Sequence, residues 1–186
     1  EAQTMRSLIN DVLTLSKLDE SAFENDGATA INLYAVAQRV AGRLSSFADD
    51  QGVRVRVEGA SACIAGSETL AEEMLYNLIE NGIRYNHEGG LVTMKVGSEC
   101  VEGGLANAAY QTVVRVSYTG PGIPAELHDK VFERFFRVDK SRSKETGGTG
   151  LGLAIVKHAV MYHGGVIEVE SAEGQGTTFV LRFPSA

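Results

Sequence analysis

Three things are scarce or missing in these 186 residues, and each absence excludes a class of protein. No apolar run approaches the ~18 residues of a bilayer-spanning helix, and no secretory leader heads the chain, so a soluble chain is expected. Positive charge is outnumbered: 17 Lys and Arg stand against 24 Asp and Glu, a net charge of −7, which argues against nonspecific nucleic-acid binding. Cysteine is reduced to Cys63 and Cys100, without metal-type spacing. Two reduced cytosolic thiols are expected, with a single disulfide as the open alternative. Internal repeats and low-complexity tracts are missing as well. What remains, 44% hydrophobic, fits one domain of ordinary size with an appendage.

What is present begins with glycine. Gly147-Gly148-Thr149-Gly150-Leu151-Gly152-Leu153 runs without a break into Ala154-Ile155-Val156-Lys157, a glycine loop opening onto an apolar helix. Such a junction suits phosphate. Glycines let the backbone approach an anion, and the unpaired N–H groups at the positive end of the helix attract it without a charged side chain. Alone, such a run is more often a plain connector than a nucleotide site, and it is neither the dinucleotide fingerprint nor a P-loop.

The hydrophobic pattern sets these residues on elements. A stripe of Met5, Leu8, Ile9, Val12, Leu13, Leu15 and Leu18 at spacings of three and four predicts an amphipathic helix over residues 1–20, and Ser21 to Thr29 reads as a linker. Next come a strand at Ala30–Leu33, a helix at Tyr34–Asp49, an alternating strand at Val53–Val57 and a short strand at Cys63–Ala65. Ser67 and Glu68 open a helix through Tyr85. Strands at 91–97 and 112–118, joined by a Gly103-Gly104 loop, precede helices at Glu126–Phe136 and Leu151–Tyr162, and strands at 166–170 and 178–183 follow. The sum is α+β: a mixed sheet with helices on one face, a two-layer sandwich preceded by one N-terminal helix.

Five motifs then fall in a fixed order: Asn77-Leu78-Ile79-Glu80-Asn81-Gly82-Ile83-Arg84-Tyr85-Asn86, Gly120-Pro121-Gly122-Ile123-Pro124, Val131-Phe132-Glu133-Arg134-Phe135-Phe136-Arg137-Val138-Asp139, the glycine loop, and Gly174-Gln175-Gly176-Thr177-Thr178-Phe179. This set resembles the ATP-binding catalytic domain of sensor histidine kinases, with its N, G1, F, G2 and G3 boxes, over roughly residues 28 to 184. The resemblance implies the Bergerat-type fold of the superfamily that includes gyrase and the chaperone ATPases. It assigns residues 1–24 to the end of a dimerisation and phosphoacceptor hairpin plus linker, and residues 25–186 to the catalytic domain.

Asn77 and Asn81 are four apart, so both amides project from one helix face, and an amide oxygen there can complete the shell of Mg²⁺ beside phosphate oxygens and water. The resemblance makes Asn81 the Mg²⁺ ligand, sets Asn77 beside the phosphates, and puts Arg84, followed by Tyr85, where lysine is usual. Gyrase and the chaperone ATPases carry a glutamate near the position of Asn77 to activate water; an amide cannot act as that base, which favours transfer to a protein side chain. Arg137, with Arg134 as the alternative, would fork two phosphate oxygens. Asn77, Asn81 and Arg137 are thus the expected catalytic residues. Phe132, Phe135 and Phe136 are expected to seat the F-box helix, and Lys140 to Thr146 resembles a lid over bound nucleotide. Gly120, Gly122, Ile123, Gly148, Thr149, Gly150, Leu151, Gly152, Leu153 and Thr177 complete the implied ATP contacts.

One box departs from the pattern. Where the family reads Asp-x-Gly-x-Gly, this chain reads Tyr118-Thr119-Gly120-Pro121-Gly122. The family's aspartate accepts a hydrogen bond from the adenine amine, and losing a charged acceptor costs roughly 1.5–3 kcal/mol. A ring turned into the pocket would occupy adenine space; one turned to solvent would leave a weakened site. The intact neighbouring boxes point to a single change and not to decay.

None of His87, His128, His158 and His163 sits on the first helix of a hairpin beside an acidic residue, so the acceptor histidine is expected elsewhere in a longer parent. The resemblance implies a bacterial two-component signal-transduction transferase and phosphoprotein. Its expected ligands are ATP or ADP with Mg²⁺, and its expected partners are a response regulator receiver domain and a second copy of the parent through the hairpin. A cytoplasmic placement is expected, in a membrane-anchored parent, with no membrane contact by this part. A pseudokinase scaffold and a hydrolysing ATPase are the rival readings.

Overall fold

The computed structural model describes residues 29–101, 109–138 and 148–186. The helix expected over residues 1–20, the Gly103-Gly104 loop and the lid at 140–146 lie outside the described residues. Chain order is β1 (Thr29–Asn32), α1 (Leu33–Arg43), α2 (Ser45–Asp50), β2 (Arg54–Gly59), β3 (Cys63–Gly66), α3 (Glu68–Arg84), β4 (Leu91–Val101), β5 (Ala109–Tyr118), two 3₁₀ turns (Ala125–Leu127 and Lys130–Phe132), α4 (Gly152–Tyr162), β6 (Val166–Ser171) and β7 (Thr177–Pro184).

The main sheet has the order β2-β4-β5-β7-β6. It is mixed: β2 runs parallel to β4, with Arg54 opposite Leu91, and every other pairing is antiparallel. β1 and β3 form a separate antiparallel ribbon. Alternation along the strands sorts the faces. Val92, Met94, Val96, Val114, Val116, Phe179, Leu181 and Phe183 are buried under the helices. Residues in the alternate register carry ion pairs, Arg115 with Glu99 and Arg182 with Glu168. The expected two-layer α+β architecture is therefore present.

Local chemistry explains the helix starts. Asn32 accepts from the N–H groups of Tyr34 and Ala35 at 3.1 and 3.3 Å, and Ser67 accepts from Leu70 N–H at 3.4 Å. Two expected helices are corrected. The single helix at 34–49 is two, broken at Leu44 (φ −92°, ψ 1°), where the Ser45 hydroxyl donates to Gly42 O at 2.9 Å and competes with the helical ladder. The helix at 126–136 does not form. Its bonds are i→i−3, Leu127 N to Pro124 O and Glu133 N to Lys130 O, and the chain turns extended at Glu133. Phe135 then takes φ 64°, outside any right-handed helix, and gives its N–H to Gly150 O at 2.9 Å. The glycine loop has captured the segment.

Candidate functional site

The helical layer and the loops at one end of the sheet line a cavity of about 1270 Å³, above the range of about 300–1,000 Å³ usual for small-molecule sites. α3 supplies one wall with Asn77, Asn81 and Arg84, followed by Tyr85. The loop after β5 supplies Gly122 and Ile123, the F-box segment Phe136 and Arg137, and the glycine loop Gly148, Thr149 and Gly150, with Gly152 and Leu153 beginning α4. Tyr118 and Thr177, from neighbouring strands, line it too. Residues from all five motifs thus meet on one cavity.

The phosphate-type end is built by close approach. A Cβ on Gly152 would lie 2.7 Å from Asn77 Oδ1, so the start of α4 reaches the α3 amide only because residue 152 is glycine. Asn77 Nδ2 donates to Glu73 O at 2.9 Å, which fixes the amide. Thr149 Oγ1 accepts from Leu151 N–H at 3.2 Å and shapes the turn. An Arg137 Nη donates to Gly148 O, tying the F-box segment to the glycine loop. Arg84 borders the cavity, but its guanidinium pairs with Glu80 at 2.8 Å and lies 5.5 Å over the Phe47 ring.

Among the described residues no group of three His, Cys, Asp or Glu side chains is placed to cage a metal ion. Asn81 offers an amide oxygen on the cavity wall. One neutral oxygen ligand beside an anionic polyphosphate suits Mg²⁺, which binds few protein groups and keeps water and phosphate oxygens.

The other end is organised around Tyr118, and its ring points inward. Tyr118 is 8% exposed, with its ring centroid 6.3 Å from that of Phe179. Its Cδ1 would lie 3.2 Å from a Cβ on Gly82, so it packs against α3. Thr177 stands directly across the β5–β7 pair from it. Burial pushes the Tyr118 pKa up to about 12, with the neighbouring Thr177 side chain opposing the rise, so the phenol is neutral near pH 7.

Not every expected residue is on the wall. Gly120 and Leu151 do not line the cavity. A Cβ on Gly120 would meet Tyr85 O at 2.6 Å, a backbone contact, and Leu151 is fully buried beside Ile155. The expectation that the phenylalanines seat a helix holds only in part: Phe132 packs edge-on against Phe179 at 6.2 Å, Phe136 lines the cavity, and Phe135 is 63% exposed. Glu73, Tyr76 and Glu80 line the cavity without having been singled out, although helical spacing from Asn77 places Glu73 and Glu80 on its face. His163 is a satisfied core histidine, with Nδ1 donating to Ala159 O at 2.7 Å and Nε2 accepting from Ser67 N–H at 3.3 Å. Cys63 and Cys100 are both free thiols.

Comparison with known proteins converges with this geometry. A profile of the family described as histidine kinase-, DNA gyrase B-, and HSP90-like ATPase matches residues 66–186. Sensor protein IrlS of Burkholderia pseudomallei is 37% identical over 185 residues, covering 100% of this chain and 38% of that protein. Sensor-like histidine kinase SenX3 of Mycobacterium tuberculosis is 34% identical over 186 residues, covering 100% of this chain and 43% of that protein. The chain therefore spans less than half the length of these two relatives. Among solved structures, full-length ShkA in complex with AMPPNP superposes with a TM-score of 0.77 at 28% identity, over 97% of this chain and 35% of that one.

Proposed function

The chain belongs to the histidine kinase-, DNA gyrase B-, and HSP90-like ATPase family, and from that premise we propose that it is the ATP-binding catalytic domain of a two-component sensor kinase. In the parent, the γ-phosphoryl of ATP passes to a histidine of the dimerisation domain and then to an aspartate on a response regulator receiver domain. The observation that carries this reading is the convergence of Asn77, Asn81, Arg137 and the glycine loop on one cavity. The complex of ShkA with AMPPNP, in a chain of like fold, supports it.

Catalysis in such a site is positioning and charge neutralisation. The N–H groups at the start of α4 and the Arg137 guanidinium bind and orient the polyphosphate. Asn81 would hold Mg²⁺, which would supply neutralising charge beside the phosphates. Asn77 holds the α3–α4 junction and contributes no base, which favours transfer over hydrolysis. The parent is a homodimer through its helical hairpin and is anchored to a membrane, with this domain on the cytoplasmic side. The buried Tyr118 ring favours one second reading, a scaffold without turnover; failure of the intact parent to phosphorylate itself would select it.

Calorimetry of AMPPNP with Mg²⁺ on this chain and on Tyr118→Asp tests the assignment. Tighter binding by the aspartate form is expected, by at least about 10- to 100-fold, as a charged acceptor replaces a neutral one and the inward ring leaves the base space. Failure of both proteins to bind overturns it.

A further inference from the structure

The cavity keeps its phosphate-type end open and fills the other with a side chain of its own. Tyr118, Ile123 and Val131 form part of the apolar lining, belong to the main core and are each less than a tenth exposed. A nucleobase binds by burying its flat faces against such side chains. Here a flat ring already lies there. Tyr118 packs on α3 where Gly82 leaves room, since a Cβ at residue 82 would stand 3.2 Å from Cδ1, and its other neighbour is Phe179, itself flanked edge-on by Phe132. Turning the ring out to solvent would leave a void of aromatic size in the core, so the ring stays. The polar groups at this end do not replace a base reader. A phenol hydroxyl both donates and accepts, so it meets an exocyclic amine and a carbonyl equally. Thr177 Oγ1 is 2.8 Å from Ser171 Oγ, and Glu173, on the loop beside Gly122, is exposed. The opposite end is untouched by the ring: Gly152 lets α4 approach Asn77, and Arg137 holds the glycine loop at Gly148.

We infer that Tyr118 is a specificity-determining residue that fills the base end with the protein's own ring, so that the site takes Mg²⁺-bound polyphosphates through their phosphates and does not tell adenine from guanine. The inference rests on the reading of the cavity as a nucleotide site. A nucleoside triphosphate enters phosphates first, with its base outside the filled space, and affinity is set where backbone N–H groups and Arg137 meet the anion. Inorganic triphosphate satisfies the same groups. In the parent, the phosphoryl donor is chosen by its phosphate chain, so a guanine nucleotide serves as well as an adenine one.

The test is calorimetry of AMPPNP, GMPPNP and inorganic triphosphate, each with Mg²⁺, on the unaltered chain, Tyr118→Phe, Tyr118→Ala and Tyr118→Asp. The unaltered chain is expected to bind the two nucleotides within about threefold of each other, and triphosphate within about tenfold of both. Tyr118→Phe keeps the ring and should keep that indifference, which separates filling of the space from the chemistry of the hydroxyl. Tyr118→Ala empties the space and should bind both nucleotides at least about tenfold more tightly, with triphosphate nearly unmoved. Tyr118→Asp adds a charged acceptor and should prefer AMPPNP over GMPPNP by about 10- to 100-fold, which carries the test if Tyr118→Ala does not fold. A preference of about tenfold or more for either nucleotide in the unaltered chain overturns the inference. So does unchanged nucleotide affinity in both Tyr118→Ala and Tyr118→Asp while triphosphate still binds, or binding of nucleotides without triphosphate. Triphosphate bound without either nucleotide by the unaltered chain overturns it as well, because the ring then excludes nucleotides instead of ignoring their base. Nucleotide binding by Tyr118→Asp alone, with no probe bound by the unaltered chain, also overturns it and leaves the nucleotide reading standing. No binding of any probe by any form overturns that reading itself.

Discussion

The two ends of the cavity are made of different materials. At the phosphate-type end the chemistry comes from backbone and close approach: the start of α4 meets Asn77 across Gly152, and Arg137 grips the glycine loop through a carbonyl. At the base-type end it comes from side-chain hydroxyls, with Ser171 hydrogen-bonded to Thr177 and to the loop, and Tyr118 buried across from Thr177. The difference bears on tolerance. Backbone N–H groups are indifferent to side-chain substitution, so the first end is read almost entirely from its glycines and amides. The second end can change its ligand chemistry with a single side chain while the fold around it stays intact, and Tyr118 is the side chain on which that turns.

The comparison would break most severely at Gly122, where the base end turns out to have a backbone dependence of its own. Gly122 has φ 75°, and a Cβ there would lie 1.9 Å from Ala172 O, a backbone atom that cannot step aside. The loop it belongs to is held by Gly174 N–H to Pro121 O at 2.7 Å and Ile123 N–H to Ser171 Oγ. Gly122→Ala is expected to cost about 2–4 kcal/mol in stability by urea denaturation, from strained φ and a backbone clash together. At the phosphate end, Asn81→Ala sharpens the contrast. It is expected to weaken AMPPNP binding in Mg²⁺ by about 10- to 100-fold, the scale on which a metal site loses affinity when a supporting group is removed. Chelating the Mg²⁺ should weaken binding to the unaltered chain and leave Asn81→Ala nearly unmoved. An equal response to chelation in both proteins removes Asn81 from the metal.

How far each end was legible in the sequence follows the same division. The α3 helix, its Ser67 cap and the shared face of Asn77 and Asn81 were readable because spacing and capping are local. The expected helix at 126–136 was not, because its residues have helical composition while Phe135 is bound to Gly150, a contact no local pattern contains. Leu151 reads as part of a phosphate loop, yet it is a core anchor, since only tertiary packing decides which side of a turn faces inward. The direction of the Tyr118 ring was undecidable for the same reason: the space between Gly82 and Phe179 is made by elements far apart in the chain. The Ser171–Thr177 bond and the place of Tyr118 beside it depend on the register that sets both residues opposite Thr177, and register is a property of paired strands.

The smallest effect isolates Tyr118 without any ligand. Its phenol pKa is pushed up to about 12 in the folded protein, chiefly by burial, against about 10 for an exposed tyrosine. Between those values the unfolded chain has lost the proton and the folded one keeps it. Fewer protons on the unfolded state mean that stability falls as pH rises across this window, whereas below pH ~10 both states are protonated and the group adds no slope. Two units correspond to at most about 3 kcal/mol by pH 12, and about 1 kcal/mol is at stake near pH 11, where other tyrosines and lysines also titrate. The quantity to measure is therefore the difference between this chain and Tyr118→Phe in urea denaturation, taken at pH 8 and again near pH 11. The phenylalanine form gives up the polar contact of the phenol beside Thr177 and is expected to be less stable at pH 8 by up to about 1 kcal/mol. That deficit should shrink or reverse near pH 11, because the variant has no buried proton to defend. A deficit constant across the two pH values would place the hydroxyl in water, and the base end would then lack the buried phenol that distinguishes it from the phosphate end.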